Sequence, residues 1–237
     1  MSRKPILRTD QVEVAYTEER WNLLEKMREE ACAVMKCLRA SSIDSIVYGS
    51  IARGDVLSHS DIDVFIPRPP ASFIVESVLE RTGFPTLKRV LVQATPSYAV
   101  KACIQMNERT SVSFPILRLR RREMEFYKFG GQISLPELRS NRRVSGVDKR
   151  LMLIEPTPRG HVEYSIVGQE GVAASVLGIH VDAVLERVRT LTRRDEVGRT
   201  GVFIKRELAP DESFEAVLSK LADEKPAVRR RIKAQDL

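Results

Sequence analysis

The sequence has 237 residues, 43% hydrophobic and 30% charged, with 39 Lys and Arg against 32 Asp and Glu, a formal net charge of +7. This composition excludes a disordered chain, and the length fits one large domain or two small ones with a real core. No run of about 18 apolar residues spans a membrane, and the start, Met1-Ser-Arg-Lys-Pro-Ile-Leu, lacks the apolar stretch of a secretory signal, so a cytoplasmic protein without membrane contact is expected.

After a polar start, Trp21, Leu24, Met27, Ala31, Val34, Met35 and Leu38 recur at steps of three and four, which predicts a helix over 17–40 ended by Ser41 and Ser42. Cys32 and Cys37 fall inside that pattern; with Cys103 they form an odd set without metal-ligand spacing and are read as reduced core thiols. A short strand at 45–48 is closed by Gly49-Ser50, and a second at 61–66 is stopped by Pro67. A helix at 71–82 and strands at 88–94, 98–106 and 111–117 follow, giving a mixed sheet of the α+β class.

The basic stretch 118–129 and the polar segment after it read as a connecting segment over 118–148, separating a domain at 1–117 from another at 149–237. In the latter, strands are expected at 151–155 and 161–168. Ala174 before Gly178, with Ile179, Val184, Leu185 and Val188, predicts a helix-turn-helix whose second helix runs from Asp182 to Arg194. A basic strand ending at Lys205-Arg206 would serve as the wing of a winged-helix-like unit, and the tail 211–234 reads as one helix capped by Asp211 or Ser213.

Charge is unevenly placed. Residues 1–115 hold 15 basic and 14 acidic residues, whereas 116–150 alone hold 10 and 4. Arg187, Arg189, Arg193, Arg194, Lys205 and Arg206 make nucleic acid the expected partner of the second half, although Asp182, Glu186, Asp195 and Glu196 interleave with them. His59, His161 and His180 lie far apart and read as incidental; Trp21 and Tyr48 read as core.

The sharpest feature is Gly49-Ser50-Ile-Ala-Arg53-Gly54 followed by Ser60-Asp61-Ile62-Asp63. On a strand, side chains at i and i+2 share a face, so Asp61 and Asp63 stand about 6.5 Å apart while Ile62 and Val64 face the core. Two such carboxylates repel unless a hard cation such as Mg²⁺ or Mn²⁺ lies between them, completed by water and substrate phosphate. A Gly-Ser turn brings backbone amides and a hydroxyl close to a triphosphate, and Arg53 is expected to add a charged contact.

These motifs resemble the signature of the DNA polymerase β-like nucleotidyltransferase superfamily. Gly49–Gly54 and Ser60–Asp63 reproduce the Gly-Ser-x-Ala-Arg-Gly and Ser-Asp-Ile-Asp pattern of minimal nucleotidyltransferases. Gln93–Tyr98 and Ser111-Val-Ser-Phe-Pro115 are similar to the matching region of archaeal CCA-adding enzymes, so the resemblance covers about 17–117. It implies transfer of a nucleoside monophosphate from an NTP to a hydroxyl, with Asp61 and Asp63 holding metal and Gly49, Ser50 and Arg53 holding nucleotide. The basic second half makes RNA the expected acceptor, whereas the minimal nucleotidyltransferase likeness implies a protein receiving AMP. Active members carry a third carboxylate on a neighbouring strand. Ser113 occupies that place here, which implies a weakened catalyst or an NTP-binding or nucleic-acid-binding regulator.

Overall fold

The apolar repeat from Trp21 to Leu38 folds as a helix of 23 residues whose Leu24, Met27, Ala31, Val34, Met35 and Leu38 are all buried. Each such large side chain contributes about 1.5–3 kcal/mol of hydrophobic stabilisation. Glu18 and Glu19 in the first turn and Arg39 in the last complement the helix dipole. In this computed structural model, residues 4–7, 10–198 and 201–234 are described.

The elements run in order β1 (Val12–Ala15), α1 (Glu18–Ala40), β2 (Ile46–Tyr48), α2 (Ser50–Arg53), β3 (Ile62–Phe65), α3 (Ser72–Arg81), β4 (Lys88–Gln93), β5 (Lys101–Gln105), β6 (Thr110–Pro115), α4 (Arg121–Phe129), β7 (Gln132–Ser134), α5 (Leu135–Arg139), β8 (Gly146–Val147), β9 (Met152–Thr157), β10 (Gly160–Ser165), α6 (Glu170–Leu177), α7 (Val181–Val197), β11 (Ile204–Glu207), α8 (Phe214–Glu224) and α9 (Pro226–Lys233). The class is α+β. No helix among the described residues is long and apolar enough to cross a membrane.

Two compact units emerge, interleaved in sequence. One comprises Met1–Cys32, Val47–Asp61 and Met124–Thr200, the other Ala33–Ile46, Ile62–Glu123 and Gly201–Leu237. This division departs from the consecutive boundaries expected at 117 and 149, because the last strand and helices of the chain join the unit of β3 to β6. The 118–148 segment is not a bare connector either. It folds as α4, β7, α5 and β8, with Ser134 and Glu137 forming a capping box at the start of α5.

The second unit is built on strands in the order β11-β4-β5-β6-β3. β3 and β6 are parallel and the other pairs antiparallel, so the sheet is mixed. Leu91, Ala102, Ile104, Val112, Phe114 and Val64 are buried on its apolar face. β11 corrects the wing expectation: it pairs antiparallel with β4, Ile204 opposite Gln93 and Glu207 opposite Val90. The bare N–H and C=O groups along an edge strand favour such an addition. The tail is two helices rather than one. Pro226 lacks the N–H needed to continue α8 and instead starts α9. Ser213 caps α8 as expected, its Oγ accepting from Ala216 N. A buried ion pair fixes α9: Arg231 donates to Glu123 Oε2 at 3.2 Å, and Glu123 also accepts from the backbone N of Ala99 and of Arg120.

The first unit holds a second sheet in the order β1-β10-β9-β8. α6 and α7 are joined through Gly178 in the left-handed region, and Ala173, Ala174 and Val184 pack with Phe129, Leu151, Leu153 and Ile166. Two histidines read as incidental have structural roles. The His180 ring accepts from Asp182 N at the start of α7. His161, on β10, is buried and bonds on both ring nitrogens, with Tyr16 Oη at 2.7 Å from Nδ1 and Glu163 Oε2 at 3.3 Å from Nε2. Neutral imidazole satisfies this with Nδ1 accepting and Nε2 donating. Burial holds the His161 pKa below its usual 6.5. The docking of β1 on β10 is therefore fully stabilised above pH 6.5 and loses stability as pH falls through 6.5 toward the lowered value, where the unfolded chain binds the extra proton. Hydrogen-exchange protection of Val12–Ala15, corrected for intrinsic exchange, should fall across that window, and a His161→Gln variant should lose the pH dependence.

Candidate active site

Gly49 follows β2 with φ 79° and ψ −144°, a conformation open to glycine and strained for other residues. A Cβ placed there would meet nothing within 4 Å, so the backbone's shape, not crowding, demands glycine and the turn stays approachable. Ser50 opens the single turn of α2, and Gly54, with φ 98°, closes it through its N–H to Ser50 O at 2.7 Å.

Three arginines hold this turn. Arg28, four residues after Leu24 on α1, is buried and donates through Nε and Nη2 to Ile51 O and through Nη2 to Ala52 O at 2.9–3.2 Å. Burial, with the nearby Arg143 charge, pulls its pKa down to about 10. Arg143 donates to the carbonyls of Gly160 and Thr157, and its side chain lies where a Cβ on Gly54 would have to sit. Arg53 is itself buried. Its Nε and Nη2 take both oxygens of Asp55 at 2.9 and 3.0 Å, and Nη1 donates to Gly130 O at 2.6 Å. The geometry thus makes Arg53 a clasp of the 49–55 turn, where the sequence suggested a phosphate contact.

The next turn delivers the first carboxylate. Ser60 N donates to Leu57 O and Leu57 N to Ser60 Oγ, both at 2.9 Å, a reciprocal lock that sets Asp61 at the mouth of β3 with its side chain exposed. Asp63 stands on β3, half-buried, flanked by the buried Ile62 and Val64. Its partner in the parallel register is Ser111, whose hydroxyl donates to Asp63 Oδ1 at 2.9 Å. Ser113 lies opposite Phe65, so the residue facing Asp63 is Ser111, two residues before the position the sequence suggested. Either way the neighbour is a neutral hydroxyl.

Beyond Ser111 the same face carries Cys103 and Lys101 on β5. Burial and the Asp63 charge push the Cys103 thiol up, so it remains a protonated neighbour of the Ser111 hydroxyl. Burial pulls the Lys101 pKa down, while Cys103, Asp63 and Glu123 oppose that shift.

The oxygen donors of Asp61 and Asp63 suit a hard ion such as Mg²⁺. No group of three or more His, Cys, Asp or Glu among the described residues could hold a metal. Such an ion would therefore depend on water and substrate phosphate for the rest of its shell.

The basic residues expected to meet nucleic acid do not form one set. Arg187 lies over the Phe126 ring at 4.9 Å, whereas Arg189, Arg193 and Arg194 on α7 are exposed. Lys205 and Arg206 belong to β11 in the other unit, and Arg206 is paired with both oxygens of Glu212 at 3.0 Å. Ser111, Lys101, Asp55, Arg28 and Arg143 escaped the sequence reading. Of these only Arg28 leaves a local trace, as a cation on the apolar stripe of α1.

The family model described as nucleotidyltransferase domain matches residues 24–123. Among solved structures, one titled "The complex structure of CCA-adding enzyme with ATP" is similar at 15% identity and a TM-score of 0.34, covering 94% of this chain and 50% of that one. The chain thus spans about half the length of that structure. No curated protein matches the chain.

Proposed function

We propose that residues 24–123, which match the nucleotidyltransferase domain model, form such a domain of the DNA polymerase β-like superfamily, and that the protein transfers a nucleoside monophosphate from an NTP to a hydroxyl acceptor. The observation that carries the reading is the Asp61-Ile62-Asp63 pair at the start of β3, inside the matched segment. Asp61 and Asp63 would hold Mg²⁺, which when bound supplies positive charge for the phosphoryl oxygens. Gly49 and Ser50 cradle the triphosphate with backbone amides and a hydroxyl. Arg28, Arg53 and Arg143 keep that turn in shape, so orientation is set before the nucleotide arrives. Most of the rate then comes from positioning and electrostatics, because phosphoryl transfer asks little covalent chemistry of the protein.

RNA is the acceptor we favour, bound through the exposed Arg189, Arg193 and Arg194 of α7. A second reading, an NTP-binding regulator with weak catalysis, is supported by Ser111 standing beside Asp63 where a third carboxylate would strengthen a metal site.

Incubating the full chain with each α-labelled NTP, Mg²⁺ or Mn²⁺, and either total RNA or cell extract separates these outcomes. Label on RNA is expected. Label on protein alone would redirect the reading to AMP transfer onto a partner. Nucleotide binding without any transfer would leave the regulator, and absence of both would overturn the nucleotidyltransferase reading.

A further inference from the structure

Arg20 breaks a local rule. It sits in the first turn of α1, where the helix dipole favours acids such as Glu18 and Glu19 and opposes a cation. Its guanidinium reaches back over the ring of Tyr16, four residues earlier, at 4.0 Å from the centroid, and Nε donates to Val56 O at 3.1 Å. Both Nη groups keep their N–H donors without an acceptor among the described residues. Tyr16 is pinned in turn, its Oη at 2.7 Å from His161 Nδ1, and its ring meets that of Trp21 at 4.8 Å. Arg143 covers Trp21 from 4.8 Å. Arg20, Tyr16, Trp21 and Arg143 are all half-buried, and all belong to the first unit.

The charge here is one-sided. Arg20, Arg28 and Arg143 make no ion pair among the described residues, and neither do the exposed Glu18 and Glu19. Asp55 gives both oxygens to Arg53, and Glu163 gives both to Arg150. Half-buried guanidinium groups that lack a carboxylate are costly to the fold, and an anion from outside would compensate them. We infer that Arg20 and Arg143, spaced by Tyr16 and Trp21, bind the phosphate backbone of a single-stranded RNA, a contact that asks nothing of Asp61 or Asp63. The planar guanidinium suits phosphate, and one already stacked and hydrogen-bonded loses little freedom on binding it. Cations interleaved with aromatic rings on a half-open surface fit a passing strand better than an enclosed free anion. Arg28, held behind them on Ile51 O and Ala52 O, adds to the positive field without touching the strand.

Trp21 is the chain's one tryptophan, so its emission reports on this spot. The full chain is titrated without metal with an end-labelled single-stranded RNA of about 12 nucleotides, label anisotropy giving total binding and Trp21 emission the local contact. Both should saturate together, with an affinity that falls as salt rises. Arg20→Gln should weaken binding about tenfold and lower the log–log salt slope by about 0.7, the share of one phosphate on a single strand, whereas Arg20→Lys, which keeps the charge, should retain the slope. An Arg20 that only supports the fold would leave the slope unchanged in Arg20→Gln, and that result would overturn the inference. Emission that responds equally to inorganic pyrophosphate would also overturn it, because a free anion would then be the ligand. Should Arg20→Gln not fold, the exposed Glu19→Lys decides: a cation beside Arg20 should tighten binding about threefold, and unchanged affinity would overturn the inference. The inference rests on the reading above only in taking the strand to be RNA. RNA binding that leaves Trp21 emission unchanged would overturn the inference alone, whereas no anisotropy change at all would remove RNA from that reading too.

Discussion

Asp63→Asn is expected to abolish metal-dependent nucleotide binding and to lower transfer by about 10³-fold, since a lost metal contact removes several kcal/mol of charge stabilisation and each 1.36 kcal/mol is a factor of ten. The substitution keeps the shape of the side chain. The amide oxygen still accepts from Ser111 Oγ, now at 2.9 Å from Oδ1, and Ile62 and Val64 still fill the core beneath β3. Only the negative charge is lost, so the thermal midpoint should stay close to that of the unaltered protein while Mn²⁺ uptake with a nucleotide analogue disappears. Asp61→Asn should act in the same direction, with less effect on stability because that side chain is exposed. Transfer that survives Asp63→Asn at full rate would show that this carboxylate is not the metal ligand and would return the site assignment to the start.

How much of this was legible in the sequence depends on how local the determinant is. α1 was legible because its apolar positions repeat with the helix period over six turns. Gly49-Ser50 and Asp61-x-Asp63 were legible because the chemistry fixes residue types at short spacing. α2 was not, since a four-residue turn has no period to detect. β1 was missed because its four residues are mostly exposed and its reason for being a strand is β10, about 150 positions later. β11 was recognised as a strand and read as a wing of the wrong unit, for the same cause: its ladder is with β4, more than 100 residues earlier. The register of β6 against β3 moved the facing residue from Ser113 to Ser111, and a two-residue shift of that kind leaves the alternation of a strand unchanged. Arg53 shows the limit most clearly. Its motif suggested a phosphate contact, yet its role follows from Asp55, two residues on, and from the carbonyl of Gly130, far along the chain.

That reassignment yields the second large expected effect. The Arg53 and Asp55 side chains are 6% and 10% exposed, joined through both carboxylate oxygens. Removing one partner of a buried pair leaves the other charge without compensation, and Arg53→Met should therefore cost about 3–5 kcal/mol in urea unfolding. Gly130 O loses its donor as well, which adds to the loss. Arg53→Lys should restore only part of it, because an ammonium cannot engage both oxygens of Asp55 in the planar fork that the guanidinium makes. The Arg53→Met/Asp55→Leu double variant should be less destabilised than the sum of its single variants by about 1–3 kcal/mol, the mark of groups that act on each other. A phosphate contact predicts the opposite pattern: Arg53→Met would weaken nucleotide binding about tenfold with little change in unfolding, as loss of one charge-assisted hydrogen bond would, and Asp55→Leu would leave binding unaltered. Measuring unfolding and nucleotide affinity on the same four proteins distinguishes the two, because a clasp couples Arg53 to Asp55 in stability whereas a ligand contact couples Arg53 to the nucleotide.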